Sequence, residues 1–213
     1  PPPGLFEQTT GRMSGDEIRA LQNERFLERV ADAWKFPFYR DRWRAAGLEP
    51  GDISSIDDIE KIPPFTSDDL KAAIERDPPF GDHQPGSPAF LTENHVRILT
   101  SGGTTGLPRI TLFDANALEV QGIQSARGFW AQGLRPSDII QITYTNSLAN
   151  AAWCTLSGAF HWIGAIPMTT GSGIVTSSER QLQYAKAWGT TAWFTRAEYL
   201  ARLAQVAQET GFD

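Results

Sequence analysis

The sequence predicts an α/β fold: an N-terminal helical section, then a mostly parallel α/β sheet layered with helices. Three observations carry this expectation. From about His95 onward, strand-like runs (VRILT, ITLF, DIIQITY, GAIPM, TTAWF) alternate with helix-like segments, the pattern of a sheet covered on both faces. Before that point capped helices and polar connectors make a helical, polar section. Ser, Thr or Asp stands ahead of most periodic segments, where helices need a side-chain acceptor for their first free N–H groups. The expected division is a helical section over 1–94 and an α/β subdomain over 95–213.

The elements follow in order. Residues 1–13 read as a loose arm. Ser14-Gly15-Asp16-Glu17 forms a capping-box pattern opening a helix to about Trp34. FPFYRDRWRAAGL reads as a shorter helix ended by Gly47, and a helical turn is expected around Ile56 to Ile59. Thr66-Ser67-Asp68-Asp69 caps DDLKAAIER, which Pro78 and Pro79 terminate; residues 78–94 read as loop. VRILT and ITLF are strands, and Asp114 caps the helix after them. DIIQITY is a strand, followed by a helix of small residues from about Ser147 to Trp162. GAIPM is a strand; Thr176-Ser177-Ser178-Glu179 caps QLQYAKAWG. TTAWF is the last strand, and Thr195-Arg196-Ala197-Glu198 caps a helix through Glu209.

Composition narrows the function classes. Hydrophobic residues at 40% and charged residues at 21% are ordinary for a folded globular chain of 213 residues. The net charge of -6 and the lack of a Lys/Arg cluster argue against nucleic acid as partner. No stretch of 18 apolar residues suggests a membrane span. The single Cys154 excludes an internal disulfide and fits a reducing cytoplasm; its apolar neighbours predict a buried structural thiol. The three His are scattered, so no metal site is expected. Seven Trp and twelve Phe suggest a core or pocket rich in rings.

RILTSGGTTGLPRITLFD, residues 97–114, places six small residues between two strand-like runs. A Walker phosphate loop needs G-x-x-x-x-G-K-[S/T] running into a helix. Here Gly102 and Gly106 are one residue too close, no Lys-Ser/Thr follows, and the chain enters a strand. The dinucleotide pattern G-x-G-x-x-G and the hydrolase elbow G-x-S-x-G are absent. What remains suits an anion clamp. Gly102, Gly103 and Gly106 let backbone N–H groups approach an anion, Ser101, Thr104 and Thr105 add hydroxyl donors, and Arg109 adds a fork matched to phosphate.

T-S-G-G-T-T-G-L-P-R resembles the signature loop of the adenylate-forming (acyl-CoA synthetase) superfamily, commonly [S/T]-S-G-[S/T]-T-G-x-P-K. Gly102 stands for a common Ser and Arg109 for a common Lys. FYRDRWRAAGLEPGDISSIDDIEKIPPFTSDDLKAA, GAFHWIGAIPMTTGSG and WFTRAEYLARLAQVAQETG are similar to phenylacetate–CoA ligase-like members, so the resemblance runs from about residue 37 to 213.

That resemblance implies an enzyme that activates a carboxylic acid, often aromatic, with ATP and Mg²⁺ as an acyl-adenylate and transfers the acyl group to coenzyme A. It implies that Ser101, Gly102, Gly103, Thr104, Thr105 and Gly106 wrap the β- and γ-phosphates with help from Arg109. It also makes Tyr144, Asn146, Asn150 and Trp153 candidates for the acid pocket. The family's Tyr-Gly-x-Thr-Glu motif, ribose-binding Asp and lid Lys have no counterpart in this sequence. The chain is therefore expected to be an N-terminal fragment, inactive alone, with its catalytic residues in a missing C-terminal half. Unfilled sheet edges predict a homo-oligomer or that missing half as partner. Two alternatives stand: an adenylating enzyme with a carrier-protein thiol or an amine as acceptor, or a non-catalytic nucleotide-binding module.

Overall fold

The computed structural model describes residues 10–100 and 108–212. Contacts divide them into two units, one within Glu7–Leu112 and one within Phe113–Asp213.

The first unit is helical. Its helices are α1 (Gly15–Ala33), α2 (Pro37–Ala45), α3 (Ser67–Arg76) and a short α4 (Pro88–Glu93). Thr10–Arg12 and Ile56–Lys61 form 3₁₀ turns. Three capping boxes open α1, the second 3₁₀ turn and α3: Ser14 with Glu17, Ser55 with Asp58, and Thr66 with Asp69. Each satisfies N–H groups that a helix start leaves free. Val30, Trp43, Leu48 and Ile53 form one buried cluster; Phe38, Leu70 and Ala73 form another. Tyr39 packs against both, edge-on to Phe38 at 5.0 Å between ring centres. The segment 78–94, expected as loop throughout, contains α4. Pro88 fits its first turn because a proline there sacrifices no hydrogen bond, and Ser87 caps it. Strands β1 (Val96–Thr100) and β2 (Ile110–Asp114) pair as a two-stranded sheet.

The second unit is a three-layer α/β structure. It contains α5 (Ala115–Ala131), β3 (Ile139–Ile142), α6 (Ala151–Ser157) continuing as a π-helical segment (Gly158–Ile163), β4 (Ile166–Thr169), α7 (Ser178–Trp188), β5 (Ala192–Phe194) and α8 (Ala197–Thr210). The strand order is β4-β3-β5, all parallel, with Ile140 opposite Pro167 and Ala192. Successive side chains of a strand point to opposite faces, and β3 displays this directly. Ile140 and Ile142 join the main core with Ala126, Ala152, Ala159 and Ile163, from α5, α6 and the π segment. Gln141 points the other way, to α7.

Three expectations at helix starts change. The helix after β3 begins at Ala151, not Ser147. Ser177 alone caps α7, while the Thr176 hydroxyl donates to Thr170 O. Arg196 occupies the cap position of α8 without a side-chain bond, because Thr195 instead pairs with Thr143. Cys154 is half-buried rather than buried, with its Sγ 3.3 Å from Ala151 O.

Candidate active site

Parallel strands end on one edge, and here β3 feeds α6 on one face while β4 feeds α7 on the other. Such a switch point is where open parallel sheets leave a crevice for ligands. A cavity of about 900 Å³ opens at this place, lined by the residues that follow each strand. Thr143, Tyr144 and Thr145 come from β3, Ser172 and Gly173 from β4, and Arg196, Ala197, Glu198, Tyr199 and Arg202 from β5 and α8.

Hydroxyl bonds fix these exits to one another. The Thr143 hydroxyl donates to Thr195 Oγ1 at 2.7 Å, and Ser172 N donates to Thr145 Oγ1 at 3.2 Å. Tyr199 Oη lies 3.1 Å from Ser178 Oγ. Aromatic backing comes from Tyr144, whose ring is 5.0 Å from Phe194, itself 5.6 Å from Phe129. The charged wall holds two guanidiniums and one carboxylate. Arg202 pairs with Glu209 at 3.6 Å, whereas Arg196 forms no ion pair among the described residues.

The residues singled out in the sequence divide into four groups. Ser101, Gly102, Gly103, Thr104, Thr105 and Gly106 lie outside the described residues. Arg109 precedes β2 in the first unit, half-buried. Nearby His83 is held below the usual imidazole range, chiefly by burial; Asp82 opposes this and Arg109 adds to it. Tyr144 lines the cavity. Asn146, Asn150 and Trp153 lie on the segment entering α6 and do not line it. The Trp153 indole donates to Ser147 O at 2.7 Å, and the Asn150 amide donates to Gln121. Asn146 Oδ1 and Asn150 Oδ1 are buried acceptors with no partner among the described residues.

Sequence reasoning missed Ser172, Gly173, Arg196, Tyr199 and Arg202 as cavity residues. Their signal was positional: polar residues directly after an apolar strand, as in AWF-TRAEY, stand at the edge where parallel sheets bind ligands. Among the described residues no group of three or more His, Cys, Asp or Glu could hold a metal ion, and no helix is long and apolar enough to cross a membrane.

No protein-family model matches the chain. Individual proteins do. Phenylacetate-coenzyme A ligase of Aromatoleum evansii is 29% identical over 216 residues, covering 100% of this chain and 46% of the relative. The enzyme of that name from Escherichia coli K12 is 32% identical over 173 residues, covering 80% of this chain and 36% of the relative. Among solved structures, 2-hydroxyisobutyryl-CoA ligase in complex with 2-HIB-AMP and CoA superposes with a TM-score of 0.82 at 28% identity, over 92% of this chain and 41% of that one. The chain thus spans less than half the length of each. Along its length the chain is similar in sequence and fold to phenylacetate–CoA ligase-like, adenylate-forming enzymes.

Proposed function

We propose that the chain is the N-terminal part of an AMP-forming acid–CoA ligase and that the cavity at the ends of β3, β4 and β5 receives the carboxylic acid and its adenylate. The observation that carries this reading is the coincidence of that cavity with a switch point in a chain similar to acyl-CoA ligases along its length. In the reaction, a carboxylate oxygen attacks the α-phosphorus of ATP and pyrophosphate leaves. The coenzyme A thiolate then attacks the acyl carbonyl and AMP leaves.

The chain's own residues supply binding and orientation. The Tyr144 and Phe194 rings form an apolar wall suited to an aromatic acid. Arg196 and Arg202 offer cations to the acid or to the adenylate phosphate. Asn146, Asn150 and Trp153 do not line this cavity, so any contact of theirs with the acid would come from the segment entering α6. The loop 101–106 and Arg109 hold the departing phosphates. Among the described residues no group of three or more His, Cys, Asp or Glu is placed to hold Mg²⁺. The catalytic residues belong to the remainder of the protein, which also covers the outer edges of β4 and β5. The compartment is the cytoplasm.

Acid-dependent exchange of pyrophosphate into ATP by the full-length protein tests this, across a panel of aryl and short hydroxy acids, followed by assay for a CoA thioester. Exchange with an aryl acid and thioester formation are expected. Exchange without a thioester would move the acceptor to another thiol or an amine. ATP binding with no exchange for any acid would leave a non-catalytic module. Replacing Thr104 and Thr105 by Val keeps their shape and removes two hydroxyls, and should cut exchange by about 100-fold or more, since each bond to a charged group contributes about 1.5–3 kcal/mol.

A further inference from the structure

Central strands covered on both faces are normally apolar throughout. β3 breaks this rule with Gln141, fully buried beneath α7, where it meets Gln181, also fully buried. A polar pair in that position needs every bond satisfied to be tolerated, and this one is. Gln181 Nε2 donates to Gly171 O and to Thr176 O, both at 3.0 Å. Two carbonyl partners leave one possible orientation of that amide. Gln141 Nε2 donates to Gln181 O at 3.3 Å, and Gln141 Oε1 accepts from the Thr190 hydroxyl at 3.1 Å.

Gly171 and Thr176 are the two feet of the loop after β4, and this loop presents Ser172 and Gly173 to the cavity. Its tip cannot hold it in place: Ile174 is 97% exposed and Val175 63%. Its position is set by its feet, together with the bond from Ser172 N to Thr145 Oγ1. A third bond, from the Thr176 hydroxyl to Thr170 O at 2.7 Å, draws them together.

We infer that Gln181, seated on Gln141, is a positioning residue of the cavity: it clamps both feet of the 171–176 loop and so sets where Ser172 and Gly173 stand against the bound acid. This rests on the reading of the cavity as the acid site. Sequence-local departures from an otherwise consistent pattern are expected where function requires them, and a Gln at the centre of DIIQITY is such a departure.

The test uses the full-length protein with Gln181→Met, which keeps length and packing but deletes both donors, and with Thr176→Val, which removes only the third bond. Hydrogen exchange reads the clamp without substrate. In Gln181→Met the amides of residues 172–176 should exchange about tenfold faster, while those of β3 keep their protection. Steady-state kinetics read the link to the site. The KM for the acid should rise about tenfold with the KM for ATP nearly unchanged, and Thr176→Val should move both readouts the same way by less. Unchanged loop exchange in Gln181→Met would overturn the clamp. Faster loop exchange with an unchanged acid KM would overturn its role in positioning. A wild-type protein that supports no exchange with any acid would sink the functional reading instead, and loop exchange would then decide the clamp by itself.

Discussion

Gly173 stands against Tyr199 so closely that a Cβ on it would lie 2.9 Å from the phenol oxygen and 3.2 Å from Cε2. The glycine is therefore a contact residue, and it leaves Tyr199 free to keep its bond to Ser178. Gly173→Ala is expected to push the tyrosine tip aside, break that bond and move the ring within the cavity. The yielding atom is the end of a side chain, so the cost to stability should stay near 1 kcal/mol, at the low end for overpacking. Selectivity should respond more than stability. Relative kcat/KM across acids of increasing size, measured in the full-length protein, should shift, and an unchanged profile would place the Gly173 contact outside the acid site.

Arg196 presents its guanidinium to the cavity, exposed and with no ion pair among the described residues. A charge that stabilises nothing in the fold can be removed cheaply. Arg196→Gln should leave the melting temperature within a degree or two, as for most surface substitutions. It should raise the KM for the acid or weaken adenylate retention by roughly tenfold, the effect of losing one charge-assisted bond of about 1.5 kcal/mol. A loss of stability with intact kinetics would assign Arg196 to the fold instead.

The packing of α5 on α6 and the π segment rests on two glycines of unequal tolerance. A Cβ on Gly158 would stand 2.8 Å from Ser125 Cβ, 2.9 Å from Ala126 N and 3.0 Å from Gly122 O. Two of those neighbours are backbone and cannot step aside without moving a helix. A Cβ on Gly122 would meet Ser157 Oγ at 2.5 Å and Trp162 Nε1 at 3.0 Å, both on side chains. Gly158→Ala should thus cost about 2–3 kcal/mol. Gly122→Ala should cost about 1 kcal/mol or less, because the helix propensity of Ala over Gly offsets part of the strain. Urea denaturation of the two variants decides; equal costs would mean that the helices slide freely.

Local chemistry was legible in the sequence: Ser14 with Glu17 and Thr66 with Asp69 cap where their spacing says, because a cap depends on residues three apart. The parallel sheet was legible from alternation of strand and helix. Where tertiary partners compete for the same hydroxyl, local reading failed. Thr195 bonds Thr143, 52 positions away, rather than capping α8, and Thr176 serves Thr170 rather than α7. The cavity was only partly legible for the same reason. Tyr144 follows β3 within a strand-like run, but Arg196 and Gly173 reach the site through pairing of β3 with β5 and β4, which no local pattern encodes.

Asp69 ties α3 to α2 and should make the helical unit sensitive to acid. Its carboxylate accepts from Thr66 N at 2.6 Å and Thr66 Oγ1 at 2.8 Å, and pairs with Arg42 at 2.7 Å. The Thr66 backbone N–H is the largest of these influences, and together they draw its pKa from 3.8 to about 2. The folded chain thus binds this proton more weakly than the unfolded chain. A carboxylate of that kind contributes stability that is complete above the ordinary value and lost as pH falls toward the lowered one. The expected window is from about pH 4 down to about pH 2. Asp69→Asn removes the titrating group, so wild type and variant should differ most in urea midpoint near neutral pH and converge as the pH approaches 2. A gap that stays constant through this range would show that the Asp69 cap acts through hydrogen-bond geometry alone and not through its charge.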